Sequence, residues 1–130
     1  GFLARVDYRY GDFVGLAGEV PAADIVTLDK VICCYPDMPS LVGRSADRAG
    51  RLYGAVYPRE TMMARLFIAL ANAWSRLKRS DYRAYLHPEA EIDGELRRRG
   101  FARRTTERTF TWRVVVWERH PAAPVNAAPA

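Results

Sequence analysis

The spacing of apolar side chains changes several times along this chain, and each change marks an expected element. Val6, Tyr8 and Tyr10 alternate with Asp7 and Arg9, the two-residue period of a strand, and Gly11 ends the run. Gly15, Gly18 and Pro21 punctuate residues 15–23, which read as a loop or a broken helix. Residues 24–34 are nearly continuous in apolar side chains, the pattern of a strand covered on both faces of a parallel sheet, and Tyr35-Pro36 stops it. Asp37 can cap a helix over 38–49, with Leu41, Val42 and Ala46 on one side and Gly50 at its end.

A second buried strand is expected at 52–57, closed by Pro58. The longest helical period covers 60–79 and puts Met62, Leu66, Ala69, Leu70, Ala73 and Leu77 on one face. Met63, Phe67 and Trp74 read as core more readily than as a lid. Residues 82–86 read as a short extended piece, and Pro88 suits the first turn of a helix over 89–99, before Gly100. Residues 101–108 and 110–118 read as two more strands. In the second, Phe110, Trp112, Val114 and Val116 share one face, and Val115 and Trp117 the other. Strands alternating with helices predict an α/β layered sheet with parallel strands, and the last two strands, lacking a crossover helix, close it as an antiparallel pair.

Composition narrows the class. The 130 residues are 49% hydrophobic and 27% charged, enough for a core and unlike a disordered chain. The adjacent pair Cys33-Cys34 makes no disulfide framework and, without further cysteines or paired histidines, no zinc site. Nothing requires an oxidising compartment, and a cytoplasmic protein is expected. No apolar run reaches the length of a membrane span. Residues 1–50 hold five basic and seven acidic side chains, and 51–130 hold fifteen and eight, for a net charge of +5. The cations are scattered among apolar positions, so nucleic acid is an unlikely partner. The Ala/Pro-rich end, 120–130, is expected to be a disordered tail after a domain at 1–119.

Certain residues carry a resemblance. Gly11-Asp12-Phe13, then Ala23-Asp24-Ile25-Val26-Thr27-Leu28-Asp29-Lys30-Val31, then Arg99-Gly100-Phe101 and the terminal hairpin, resemble the C-terminal part of a class I S-adenosylmethionine (SAM)-dependent methyltransferase. Leu28-Asp29 leading to Tyr35-Pro36, and Arg83-Ala84-Tyr85-Leu86-His87 before Glu89-Ala90-Glu91, are similar to the magnesium-protoporphyrin O-methyltransferase group. The fold so implied is a partial Rossmann-like sheet. The family's first two strands, with the glycine-rich cofactor loop and the acidic residue that holds the ribose, have no counterpart here, because Gly11, Gly15 and Gly18 are too widely spaced, and the apolar strand at 25–33 is then expected at an edge of the sheet. The resemblance therefore implies the C-terminal portion of a longer protein, inactive alone, whose partners are its missing N-terminal segment and a small-molecule methyl acceptor.

The same resemblance assigns site residues. Asp12 would accept a hydrogen bond from the adenine of SAM, with Phe13 beside the ring; otherwise Asp12 is a turn acid and Phe13 core. Leu28, Asp29 and Lys30 would pass the methionine portion, or else Asp29 and Lys30 end the strand and face solvent. Cys34, Tyr35, Tyr57, Arg59 and Tyr85 would face the acceptor, with Tyr35 and His87 the catalytic candidates. The porphyrin-type enzymes place a histidine where Cys34 stands, and a thiol is a poorer base than imidazole. His87 is alternatively a helix-start histidine with a structural hydrogen bond, and Arg59 simply begins the long helix. A non-catalytic interaction module on a degenerate methyltransferase fold is the alternative to an enzyme.

Overall fold

The computed structural model describes residues 1–121. The expected tail beyond that point lies outside the described residues. Four strands, β1 (Ala23–Asp29), β2 (Ala49–Pro58), β3 (Phe101–Arg108) and β4 (Trp112–Arg119), form one sheet in the order β1-β2-β4-β3. β1 and β2 run parallel, and β4 is antiparallel to both of its neighbours. The helices are α1 (Phe13–Leu16), α2 (Met38–Ala46), α3 (Met62–Leu77) and α4 (Glu89–Arg98).

Local chemistry sets the boundaries. Asp37 caps α2 by accepting from the Ser40 amide at 3.2 Å, and Thr61 caps α3 by accepting from the Ala64 amide at 3.0 Å. α4 carries Glu89 and Glu91 in its first turn and Arg97 and Arg98 in its last, matching its dipole. Gly100 then turns the chain at φ +85°, where a side chain would be strained.

The core lies on one face of the sheet. Tyr53, Ala55, Val115 and Trp117 meet Leu41, Val42 and Ala46 of α2 and Ile92 and Leu96 of α4. Two polar groups are satisfied inside it. Ser45 Oγ lies 2.7 Å from the Tyr53 hydroxyl, and the Trp117 indole donates to Asp93 at 2.8 Å. Three arginines are structural: Arg103 bridges Glu89 and Asp93, Arg113 pairs with Glu89, and Arg119 donates to the carbonyls of Ala49 and Arg99.

Several expectations need correction. Residues 6–10 form no strand, because the sheet offers them no partner beside β1. β1 stops at Asp29 rather than 34. It is the edge strand expected where the family's first two strands have no counterpart, but it is not covered on both faces: Val26 and Leu28 pack against the core, while Ile25 on the opposite face is 53% exposed. α2 ends at Ala46, and Gly50 already belongs to β2. Phe110 sits in the β3–β4 turn, 88% exposed, rather than in the last strand. α3 buries none of its apolar residues fully, and Trp74 is 60% exposed rather than core.

Candidate functional site

The parallel strands β1 and β2 end on the same edge of the sheet, and open α/β sheets bind ligands at such carboxyl edges. The segments that follow them enclose a cavity of about 430 Å³. Cys33, Met63, Phe67, Ile68, Phe110 and Trp112 make most of its wall apolar, and Arg59 and Tyr82 add polar groups. Such a cavity can take a small apolar molecule.

A strap over residues 80–88 crosses this edge and is tied down from two sides. The Asn72 side chain of α3 donates to the Ala84 carbonyl and accepts from the Ala84 amide, both at 2.9 Å, as a neighbouring strand would. The Tyr85 amide donates to the Cys33 carbonyl at 2.6 Å. His87 Nε2 lies 2.8 Å from the Tyr35 carbonyl, and its ring stacks on Tyr85 with centroids 5.9 Å apart. A carbonyl only accepts, so Nε2 carries the proton, and in the neutral ring Nδ1 is the remaining acceptor.

Tyr35 joins this cluster to Asp12, its hydroxyl lying 3.1 Å and 3.2 Å from the two carboxylate oxygens. Desolvation, and then the Asp12 carboxylate, hold the Tyr35 phenol above its ordinary value, so at neutral pH it is a donor and not a base. Asp12 Oδ1 also accepts from the Val14 amide at 3.1 Å, capping α1. Burial, then Cys34, pushes the Cys33 thiol up to about 11, which keeps it protonated and a weak nucleophile. Cys34 is exposed and lies 3.9 Å from the Tyr82 hydroxyl.

The structure thus brings Asp12, Tyr35, His87 and Tyr85 into one chain of contacts. Lys30 is not inside a strand. It follows β1 in a left-handed turn, φ +58°, and its ammonium lies 5.1 Å from the centroid of the Trp112 ring at the cavity wall. Asp29 is exposed at the strand's end, and Leu28 and Phe13 pack against the core. Arg59 donates to the carbonyls of Thr109 and Phe110, fastening the β3–β4 turn to the end of β2. Tyr57 lies within β2, is 3% exposed against the core, and its hydroxyl has no hydrogen-bond partner among the described residues. Asn72 was not anticipated; a single amide in an otherwise apolar stretch of helix was its only trace.

Neither a protein-family model nor a curated protein sequence matches the chain. Solved structures do. Magnesium protoporphyrin IX methyltransferase from Synechocystis PCC 6803, with bound SAH, superposes at a TM-score of 0.63 and 22% identity over 81% of this chain and 48% of that one. The same enzyme with bound SAM gives 0.57 at 22% identity, over 81% of this chain and 43% of that one. The fold is that of a class I methyltransferase, in part. An O-methyltransferase family protein from Burkholderia thailandensis agrees, at 0.63 and 21% identity, covering 89% of this chain and 36% of that chain. The chain spans less than half the length of each of these neighbours.

The residues present suit one end of a SAM molecule. Among the described residues Asp12 Oδ2 accepts from Tyr35 alone, so the carboxylate keeps capacity for a donor such as an adenine amino group. The methyltransferase fold's glycine-rich loop has no equivalent in this sequence, and the backbone donors it would aim at the ribose and methionine are not supplied here.

Proposed function

We propose that the chain provides the acceptor-side half of a SAM-dependent methyltransferase acting on a small molecule. The observation that carries the reading is the apolar cavity at the carboxyl edge of β1 and β2, in a sheet shared with enzymes solved with SAM and SAH. Asp12 would take the adenine amino group and Phe13 would flank the ring, while Leu28, Asp29 and Lys30 line the path of the methionine portion. The sulfonium makes the methyl group an activated electrophile, so the protein's task is to align acceptor, methyl and sulfur. Tyr35 would donate to the acceptor or to Asp12, and His87 Nδ1 would take a proton where the acceptor arrives protonated. Arg59, Cys34 and Tyr85 would shape the acceptor's surroundings.

Isothermal titration tests the reading. SAM should bind the chain poorly alone and well in a polypeptide that also supplies a glycine-rich cofactor segment. In that polypeptide Asp12→Ala should weaken binding by about 1–3 kcal/mol, the cost of leaving a buried donor unpaired. His87→Phe should leave SAM affinity unchanged and lower turnover. Equal SAM affinity for Asp12→Ala and its parent would refute the adenine assignment. Binding of SAM without transfer to any acceptor would favour the non-catalytic module.

A further inference from the structure

Helix α3 is amphipathic in the sense opposite to a core helix. Ala64, Ile68, Ala71, Asn72 and Ser75 recur at helical spacing and are its half-buried positions. Met63, Leu66, Phe67, Leu70, Trp74 and Leu77 form a second, continuous stripe, and each is 58% to 77% exposed. The strongest apolar face of the helix therefore points away from the sheet. Phe110, 88% exposed at the β3–β4 turn, lines the same cavity as Met63 and Phe67. This is an apolar surface of a kind that marks an interaction site.

The charge on the helix is of one sign. Residues 61–80 contain Arg65, Arg76, Lys78 and Arg79 and no aspartate or glutamate. Arg76 is exposed beside the apolar stripe, as is Arg65, which reaches Glu60 before the helix at 3.9 Å, and the Lys78 ammonium lies 4.9 Å from the centroid of the Trp74 ring. An apolar stripe of Met, Leu, Phe and Trp flanked by cations is the composition of a helix that lies in the headgroup region of a bilayer. A second copy of the chain fits less well, because a two-fold pairing of this face sets these cations against their own copies.

We propose that α3, together with Phe110, docks on an anionic lipid surface. The stripe from Met63 to Leu77 would enter the boundary between headgroups and acyl chains, and Arg65, Arg76, Lys78 and Arg79 would meet lipid phosphates. Met63, Phe67 and Phe110 belong both to this surface and to the cavity wall, so docking sets the cavity against lipid. This inference does not depend on methyl transfer.

Co-sedimentation of the full chain with vesicles tests it, using phosphatidylcholine alone against phosphatidylcholine with phosphatidylserine. The expected result is partition into the anionic vesicles only, weakened when salt rises from about 0.1 to about 0.5 M, with a blue shift of tryptophan emission that Trp74→Phe removes. Leu70→Glu, at an exposed position, should lower partition at least about tenfold by removing a buried leucine and adding a charge. The paired change Lys78→Glu and Arg79→Glu should abolish the preference for anionic vesicles while circular dichroism stays unchanged. No partition into either vesicle overturns the proposal, as does equal partition into both. A dimer that Leu70→Glu dissociates, in a chain that ignores lipid, assigns the face to a second copy instead.

Discussion

His87→Ala should loosen the edge of the sheet that carries the candidate site. The substitution removes a 2.8 Å hydrogen bond to the Tyr35 carbonyl and a ring stacked on Tyr85. The bond contributes about 0.5–1.5 kcal/mol net, and the ring pair about as much again. The expected loss is therefore about 1–3 kcal/mol, or about 4 °C of melting temperature per kcal/mol for a domain of this size. His87→Phe separates the two parts, since it keeps a ring against Tyr85 and has no donor; it should lose only the hydrogen-bond share. Tyr85→Ala should lose the stacking share. Urea denaturation reads the totals, and amide exchange locates them. The Cys34 and Tyr35 amides, which bond to the carbonyls of Val31 and Ile32 at 3.0 Å and 3.3 Å, should exchange about fivefold faster for each kcal/mol lost. If His87→Ala stays within about 0.5 kcal/mol of the parent, the scatter of an ordinary surface change, and exchange at Tyr35 is unaltered, then His87 does not hold that loop.

Two further substitutions probe the core. Ser45→Ala should cost more than Tyr53→Phe: Ser45 Oγ donates to the Leu41 carbonyl at 2.7 Å and accepts from Tyr53, so removing it strands a fully buried phenol, at about 1–3 kcal/mol, whereas Tyr53→Phe leaves the serine its carbonyl. Equal losses in urea titrations would show that the hydrogen bond runs the other way. Tyr57→Phe should stabilise the fold by about 1 kcal/mol or more, since it removes a buried hydroxyl that has no partner among the described residues. Burial pushes the Tyr57 phenol up to about 12 from an unfolded value of about 10. Its contribution from staying neutral in the fold is complete below pH 10 and lost between pH 10 and 12, so Tyr57→Phe should flatten that part of the alkaline stability profile. An unchanged slope there would mean that the hydroxyl reaches water.

What the sequence could and could not reveal follows from how local each contact is. The terminal hairpin was legible because two strands joined by a short turn pair with each other, and the lack of a crossover helix forced them antiparallel. The alternation at 6–10 is real but forms no strand, because pairing needs a neighbour and periodicity says nothing of one. The apolar run at 24–34 marked a strand, and the absence of the family's first two strands marked it as an edge, but its length and its uncovered face were not legible. Continuous hydrophobicity is compatible with a covered strand, but β1 is the edge of this sheet, and its run ends in the left-handed turn at Lys30. At the candidate site, the resemblance names Asp12, Tyr35 and His87, but their mutual contacts were not legible, since these join positions 23 and 52 residues apart.

Helix α3 shows where pattern alone must fail. Its period was read correctly, yet both the stripe at Ala64, Ile68 and Ala71 and the stripe at Leu66, Leu70 and Leu77 are apolar, so hydrophobicity favours burying the larger one. A polar contact accompanies the observed orientation. Asn72 shares the first stripe, and its amide saturates both backbone groups of Ala84; turning the helix to bury the leucines would break both bonds and expose two backbone groups in a half-buried strap. A pair of hydrogen bonds at 2.9 Å thus goes with the face observed, in which Met63 and Phe67 line the cavity. The same clamp that places the strap bearing Tyr85 and His87 also leaves the helix's most hydrophobic face free to meet a partner.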